Sequence, residues 1–137
     1  MTAPLMPAPP QFQYTTLPHQ TAAVQSLADV LADVRFAPPA NVHANPSYVP
    51  REAAATLKAN LAAVRQRNGV RSGTVYVPDT ATPALNLDVL METGTGKTFT
   101  FIETIHRLHR EHKLCKFIVL VPSTAIRQGT LKSLQTT

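Results

Sequence analysis

A chain of 137 residues with one cysteine, Cys115, can hold no internal disulfide framework, which points to a reducing, cytoplasmic setting. No apolar run comes near the roughly 20 residues that a membrane-spanning helix needs, so no membrane partner is expected. Met1–Pro10 carries no basic residue and leads into no leucine run. That Pro-rich start predicts a flexible tail over residues 1–11 and not a secretory signal. Charge is sparse at 15%, but a hydrophobic content of 44% excludes a disordered chain and suits one small domain with its own core. Acid is the scarcer sign. Eight Asp and Glu face thirteen Lys and Arg, and the net charge of +5 mildly favours a polyanionic partner. Acid is also unevenly placed: no aspartate follows Asp88, and only Glu103 and Glu111 follow Lys97.

What is present falls into two stretches. In residues 12–84, Val24, Leu27, Leu31 and Val34 recur at helical spacing between His19 and Arg35, with Asp29 and Asp33 outside the stripe. Ala37-Pro38-Pro39 must end that helix, and the prolines of Pro38–Pro50 hold a loop open. An alanine-rich helix is expected over Arg51–Asn68, stopped by Gly69, and a short strand near Thr74–Val77. Residues 85–137 are better patterned. A short apolar segment, Leu85–Leu90, runs into a glycine loop, and a helix is expected over Lys97–His112 with Phe101, Ile102, Ile105 and Leu108 on one side. Phe117–Val121 has the continuous apolar content of a strand buried on both faces. Ala125–Leu134 reads as a further helix capped by Ser123 or Thr124. Strand, helix, strand, helix in that order predicts an α/β fold with a parallel sheet.

The glycine loop carries the chemistry: Met91-Glu92-Thr93-Gly94-Thr95-Gly96-Lys97-Thr98. Gly94 and Gly96 allow positive φ and close backbone approach, so that successive N–H groups can face phosphate oxygens. Lys97 supplies a flexible point charge for the outer phosphates of a nucleoside triphosphate, and Thr98 a hydroxyl for Mg²⁺. The helix that follows turns its positive end toward the same anion. A tight glycine turn would need the glycines but not the Lys-Thr pair after them. Met91 stands where the usual pattern has glycine or alanine.

Three segments together resemble superfamily 2 helicase-type ATPases, most closely the Res subunit of type III restriction–modification systems. Leu17-Pro18-His19-Gln20 with Ala23 and Val24 looks like the family's glutamine motif, in which the resemblance assigns Gln20 to the adenine edge, with Phe12 or Tyr14 for stacking. The second segment is Leu87–Thr98. The third, Phe117–Arg127 followed by Gly129, looks like motif Ia, with Ser123 and Arg127 on the DNA backbone. The resemblance implies an incomplete RecA-like domain, ATP and Mg²⁺ on Gln20 and Thr93–Thr98, double-stranded DNA, and a modification methyltransferase subunit as partner. It also implies a Walker B acidic pair, which Glu103 and Glu111, both on the helix leaving the loop, do not supply. The chain by itself is therefore expected not to hydrolyse ATP. A non-catalytic remnant or nucleotide-binding module is the alternative, ahead of a P-loop kinase or other NTPase, for which no arginine lid is recognisable.

Two other groupings invite attention. His106, His109 and His112, with Cys115 nearby, suggest a metal site, but at about 100° per residue the first and last histidine stand about 120° apart around a helix. A solvated face explains them, and Cys115 is expected to be a small buried hydrophobe. Arg65, Arg67 and Arg71 form a small basic cluster that a solvated helix end explains as well as DNA does.

Overall fold

The computed structural model describes residues 15–71 and 85–136; the expected tail, Phe12, Tyr14 and the strand at Thr74–Val77 lie outside them. The described chain forms four helices: α1 Pro18–Val30, α2 Pro50–Arg67, α3 Lys97–His112 and α4 Thr124–Thr136. α1 sits in the middle, packed on α2 and α3, while α4 touches α3 alone.

α1 and α2 both begin with proline at the first helical position, where the missing N–H has no helical partner to lose. α1 is shorter than its apolar spacing predicts. Leu31 and Ala32 bond back to Ala28 and Asp29 over three residues, and Asp33 takes a left-handed φ of 59° that an aspartate tolerates. The expected stripe still points inward from beyond the helix, with Val24, Leu31 and Val34 all buried. α2 carries Glu52 in its first turn and Arg65 and Arg67 in its last, each sign at the favourable end of the helix dipole. Its end is a Schellman turn: Gly69, at φ 66°, donates to Gln66 O at 3.1 Å and Val70 to Arg65 O at 3.0 Å.

The main core joins Val30, Leu31 and Val34 of the α1 side to Ala53 and Leu57 of α2. Leu85, Leu87 and Leu108 pack on it from the C-terminal half, and Leu57 is fully enclosed. Ile102 anchors α3, at 2% exposure, with Phe101, Ile105 and Leu108 only half-buried around it. A polar chain ties the same three helices together on the outside. Arg107 donates to Gln25 Oε1 at 2.6 Å, Gln25 to Asp29 Oδ1 at 2.5 Å, and Arg67 pairs with Asp29 Oδ2 at 2.7 Å. Burial alone would raise the Asp29 carboxyl. The hydrogen bonds from Arg67 and Gln25 and the charges of Arg67 and Arg107 outweigh it and hold the group below its ordinary 3.8. Arg67 of the basic cluster is thus turned toward α1.

The α/β expectation is corrected by this structure: the described residues hold no strand and no sheet, and so no RecA-like parallel sheet. Their one β-type pairing is an isolated antiparallel bridge between Ala37 and Ser47. Phe117–Val121 forms no regular element, with Ile118 and Leu120 each 89% exposed. Leu90, before the glycine loop, is fully exposed as well. An apolar run specifies that a segment gains by being covered, but a strand exists only where a neighbour pairs with its backbone. Here no described segment pairs with the backbone of the run. What holds the start of that segment is a side chain. Asn45 Oδ1 accepts the N–H groups of Cys115 and Lys116, both at 2.9 Å, and its Nδ2 donates to Lys116 O at 2.7 Å. Cys115, expected to be buried, is exposed beside it.

His112 also departs from the expected solvated face. His106 and His109 are exposed, but the His112 ring packs on Phe36 with centroids 4.7 Å apart. Its Nε2 is buried without a hydrogen-bond partner among the described residues. Burial lowers its pKa from 6.5, with Glu111 pulling weakly the other way.

Candidate phosphate-binding site

The loop Met91–Thr98 connects the irregular segment 85–90 to the first turn of α3. Gly94 and Gly96 sit at φ 81° and 86°, and Gly96 is the N-cap of α3, with Lys97 and Thr98 in its first turn. Only glycine takes two such left-handed positions so close together without strain. Thr95 Oγ1 donates to Glu92 O at 2.7 Å and closes the bend between them.

Lys97 is folded across its own loop. Its Nζ donates to Met91 O at 2.8 Å and Glu92 O at 2.6 Å, an exposed ammonium held by two neutral carbonyls. Carbonyls are weaker partners for a cation than a phosphate oxygen, so the charge is held in place yet remains available for exchange. The donor set of the loop (backbone N–H groups at a helix start, one ammonium, one threonine hydroxyl) fits a triphosphate with Mg²⁺ in its chemistry. The only carboxylate within the loop, Glu92, is exposed.

Gln20, at 9% exposure, is drawn to this loop from the far side. Its Oε1 accepts Leu17 N–H at 3.1 Å, which caps the start of α1, and its Nε2 donates to Thr95 O at 3.1 Å. The amide lies so close to Gly96 that any Cβ there would collide with Nε2. His19, to which the sequence reading gave no role within the glutamine motif, meets the same acceptor, Nε2 to Thr95 O at 2.9 Å. A carbonyl only accepts, so Nε2 of His19 carries the proton. Two side chains 75 and 76 residues upstream therefore converge on one loop oxygen, and that contact has no local sequence signal. The structure thus brings Gln20 together with Thr95 and Gly96, next to Lys97 in the chain.

Ser123 and Arg127 stand apart from this cluster, at the start of α4. Ser123 caps the helix, its Oγ accepting Ile126 N–H at 3.4 Å, and Arg127 is exposed one turn on. The two acids downstream of Lys97 are both in ion pairs: Glu111 with Arg107 at 2.7 Å and Glu103 with Arg110 at 3.6 Å. Those residues line a cleft between α1 and α3 that includes Thr21 and Phe99 but no residue of the loop. Among the described residues no group of three or more His, Cys, Asp or Glu is placed to hold a metal ion, and no helix is long and apolar enough to cross a membrane.

A glycine loop with Lys-Thr at the start of a helix, faced by a glutamine from an upstream helix, gives the chain the residue pattern of a candidate phosphate-binding loop. The family model described as "Type III restriction enzyme, res subunit" matches residues 13–137, and the chain belongs to that family. It is similar to the EcoPI Res subunit of Escherichia phage P1, 33% identical over 124 residues. It is equally similar to the EcoP15I Res subunit of Escherichia coli, 33% identical over 129 residues. Each match covers 87% of this chain and 12% of the relative, so the chain spans about an eighth of their length. The StyLTI Res subunit of Salmonella typhimurium (strain LT2) is 48% identical over 44 residues, 32% of this chain and 4% of that protein.

Proposed function

We propose that this chain is a nucleotide-binding part of an ATP-driven DNA motor of the type III restriction class, taking ATP with Mg²⁺ on Met91–Thr98. The observation that carries the reading is the loop itself: two left-handed glycines immediately ahead of Lys97 and Thr98 at the start of α3. Lys97 exchanges the carbonyls of Met91 and Glu92 for phosphate oxygens when ATP arrives. Thr98 would hold Mg²⁺, which would supply neutralisation of phosphate charge, and the family resemblance gives Gln20 the adenine edge. Ser123 and Arg127 contact a DNA backbone, and a modification methyltransferase subunit is the partner in a cytoplasmic assembly. Titration calorimetry with ATP·Mg²⁺ tests the loop: Lys97→Ala should weaken binding about 10- to 100-fold, the loss of a charge-assisted contact. Equal affinity of Lys97→Ala and wild type would refute the assignment. Arg127→Ala should weaken binding to unrelated duplexes by one common factor, since phosphate contacts carry no sequence. A loss limited to one sequence would oppose that role.

A second reading, a nucleotide-binding module without turnover, is favoured by the ion pairs of Glu103 and Glu111. Both carboxylates downstream of the loop are engaged with arginines of their own helix. The 137-residue chain should accordingly bind ATP without hydrolysing it. Lys97-dependent phosphate release by the purified chain would overturn this part.

A further inference from the structure

We propose that His19, with Gln20, is a positioning residue for the phosphate loop, acting on the ligand's phosphates through the Thr95–Gly96 peptide. The inference rests on the reading of Met91–Thr98 as a phosphate site and assigns that site a control from α1.

The Thr95 carbonyl receives two side-chain donors, His19 Nε2 at 2.9 Å and Gln20 Nε2 at 3.1 Å. No cis peptide occurs among the described residues, so the Thr95–Gly96 bond is trans and planar. In such a unit the carbonyl and the N–H point in opposite directions. Pinning Thr95 O toward α1 therefore aims the Gly96 N–H away from α1, the orientation in which it can donate to an anion seated on the loop. Glycine flanked by another glycine-containing turn has little of its own to resist a peptide flip, because both positive and negative φ are open to it. A flipped peptide would present a carbonyl, and a phosphate would be repelled. Two donors on one oxygen oppose that flip.

The fit around Gly96 points the same way. The space a Cβ would take at Gly96 is filled by the Gln20 amide, whereas nothing lies within 4 Å of the equivalent point at Gly94. α1 is thus fitted to one glycine of the loop and not to the other. His19 is otherwise exposed, so its replacement leaves the packing of α1 intact. Gln20 has a second tie, to Leu17 N–H, and would have to release a bond to read a base. His19 has no such conflict and can hold the peptide while a nucleotide is bound.

The test separates base from phosphate. The 137-residue chain is titrated with ATP·Mg²⁺ and with inorganic tripolyphosphate·Mg²⁺, and far-UV circular dichroism reads folding independently. His19→Leu should weaken both ligands by the same factor, about five-fold for one lost hydrogen bond. His19→Gln, whose amide N–H reaches as far as the imidazole Nε2, should restore both. Gln20→Ala should lose at least as much on tripolyphosphate, any further loss on ATP being the adenine contribution. If His19→Leu binds tripolyphosphate as wild type does, or loses affinity for ATP alone, the positioning role is wrong while the loop assignment stands. If wild type binds neither ligand, the loop assignment itself fails and this inference with it.

Discussion

Replacing Gly96 by alanine should cost more than replacing Gly94, although the two backbones are nearly the same. At both positions an L side chain must enter the left-handed region, φ 81° at Gly94 and 86° at Gly96, at about 1–2 kcal/mol each. At Gly94 that is the whole cost, since the new methyl meets open space. At Gly96 the methyl collides with Gln20 Nε2, and the amide has to leave Thr95 O. Losing that hydrogen bond from a buried side chain adds about 1 kcal/mol. Gly96→Ala should therefore destabilise the nucleotide-free chain by about 2–3 kcal/mol, and Gly94→Ala by about 1–2. Urea denaturation followed by far-UV circular dichroism measures both. A double-mutant cycle then isolates the cause: in a Gln20→Ala background the two glycine substitutions should cost the same. If Gly96→Ala is no worse than Gly94→Ala in the wild-type chain, or if Gln20→Ala leaves the gap unchanged, the contact between α1 and the loop does not hold the loop as described.

Stability should also depend on pH through His112. Its pKa is lowered in the folded state, mainly by burial, so the folded chain binds fewer protons than the unfolded one as pH falls below 6.5. The contribution is complete above that value and is lost as pH drops through it toward the lowered folded value. Thermal melts of wild type and His112→Gln across this window should converge at acid pH, and parallel curves would contradict the assignment. Leu57→Ala, at the one fully enclosed leucine of α2, should cost about 2–5 kcal/mol, while Leu57→Met should stay within about 1.5. A loss below 1 kcal/mol on Leu57→Ala, read from the same urea transition, would place the core elsewhere.

The parts of the fold that were legible are those governed by local rules. α3 follows from apolar spacing and a glycine start, and its bounds, Lys97–His112, are as read. α2 follows from an alanine-rich run with Gly69 behind it, read as Arg51–Asn68 and observed one residue earlier at each end, because Pro50, read as part of the loop, opens the helix. α1 was placed but overextended, because Val34 continues the helical spacing while Asp33 has already turned the chain. Pairing was not legible. Phe117–Val121 has strand composition, yet composition names no neighbour, and the described chain supplies none. Cys115 and His112 failed for a related reason, since which of two half-apolar groups is covered depends on Asn45 and Phe36, both far away in sequence. In the candidate site the glycines, Lys97 and Thr98 are local chemistry and could be read directly. His19 gains its contact only once α1 is laid against the loop.

Asn45 has a consequence for the apolar run that follows it. By accepting from two successive N–H groups and donating to the carbonyl between them and the run, one carboxamide does what a single rung of a neighbouring backbone would do. It sets the direction in which residues 117–121 leave the helices without occupying any of the hydrogen-bonding positions further along. The proline-flanked loop that carries Asn45 therefore acts as a jig. It holds the first link of the run in a fixed attitude, so that a substitution at residue 45 would be felt as a change in where Ile118 and Leu120 are presented, several residues from the change itself.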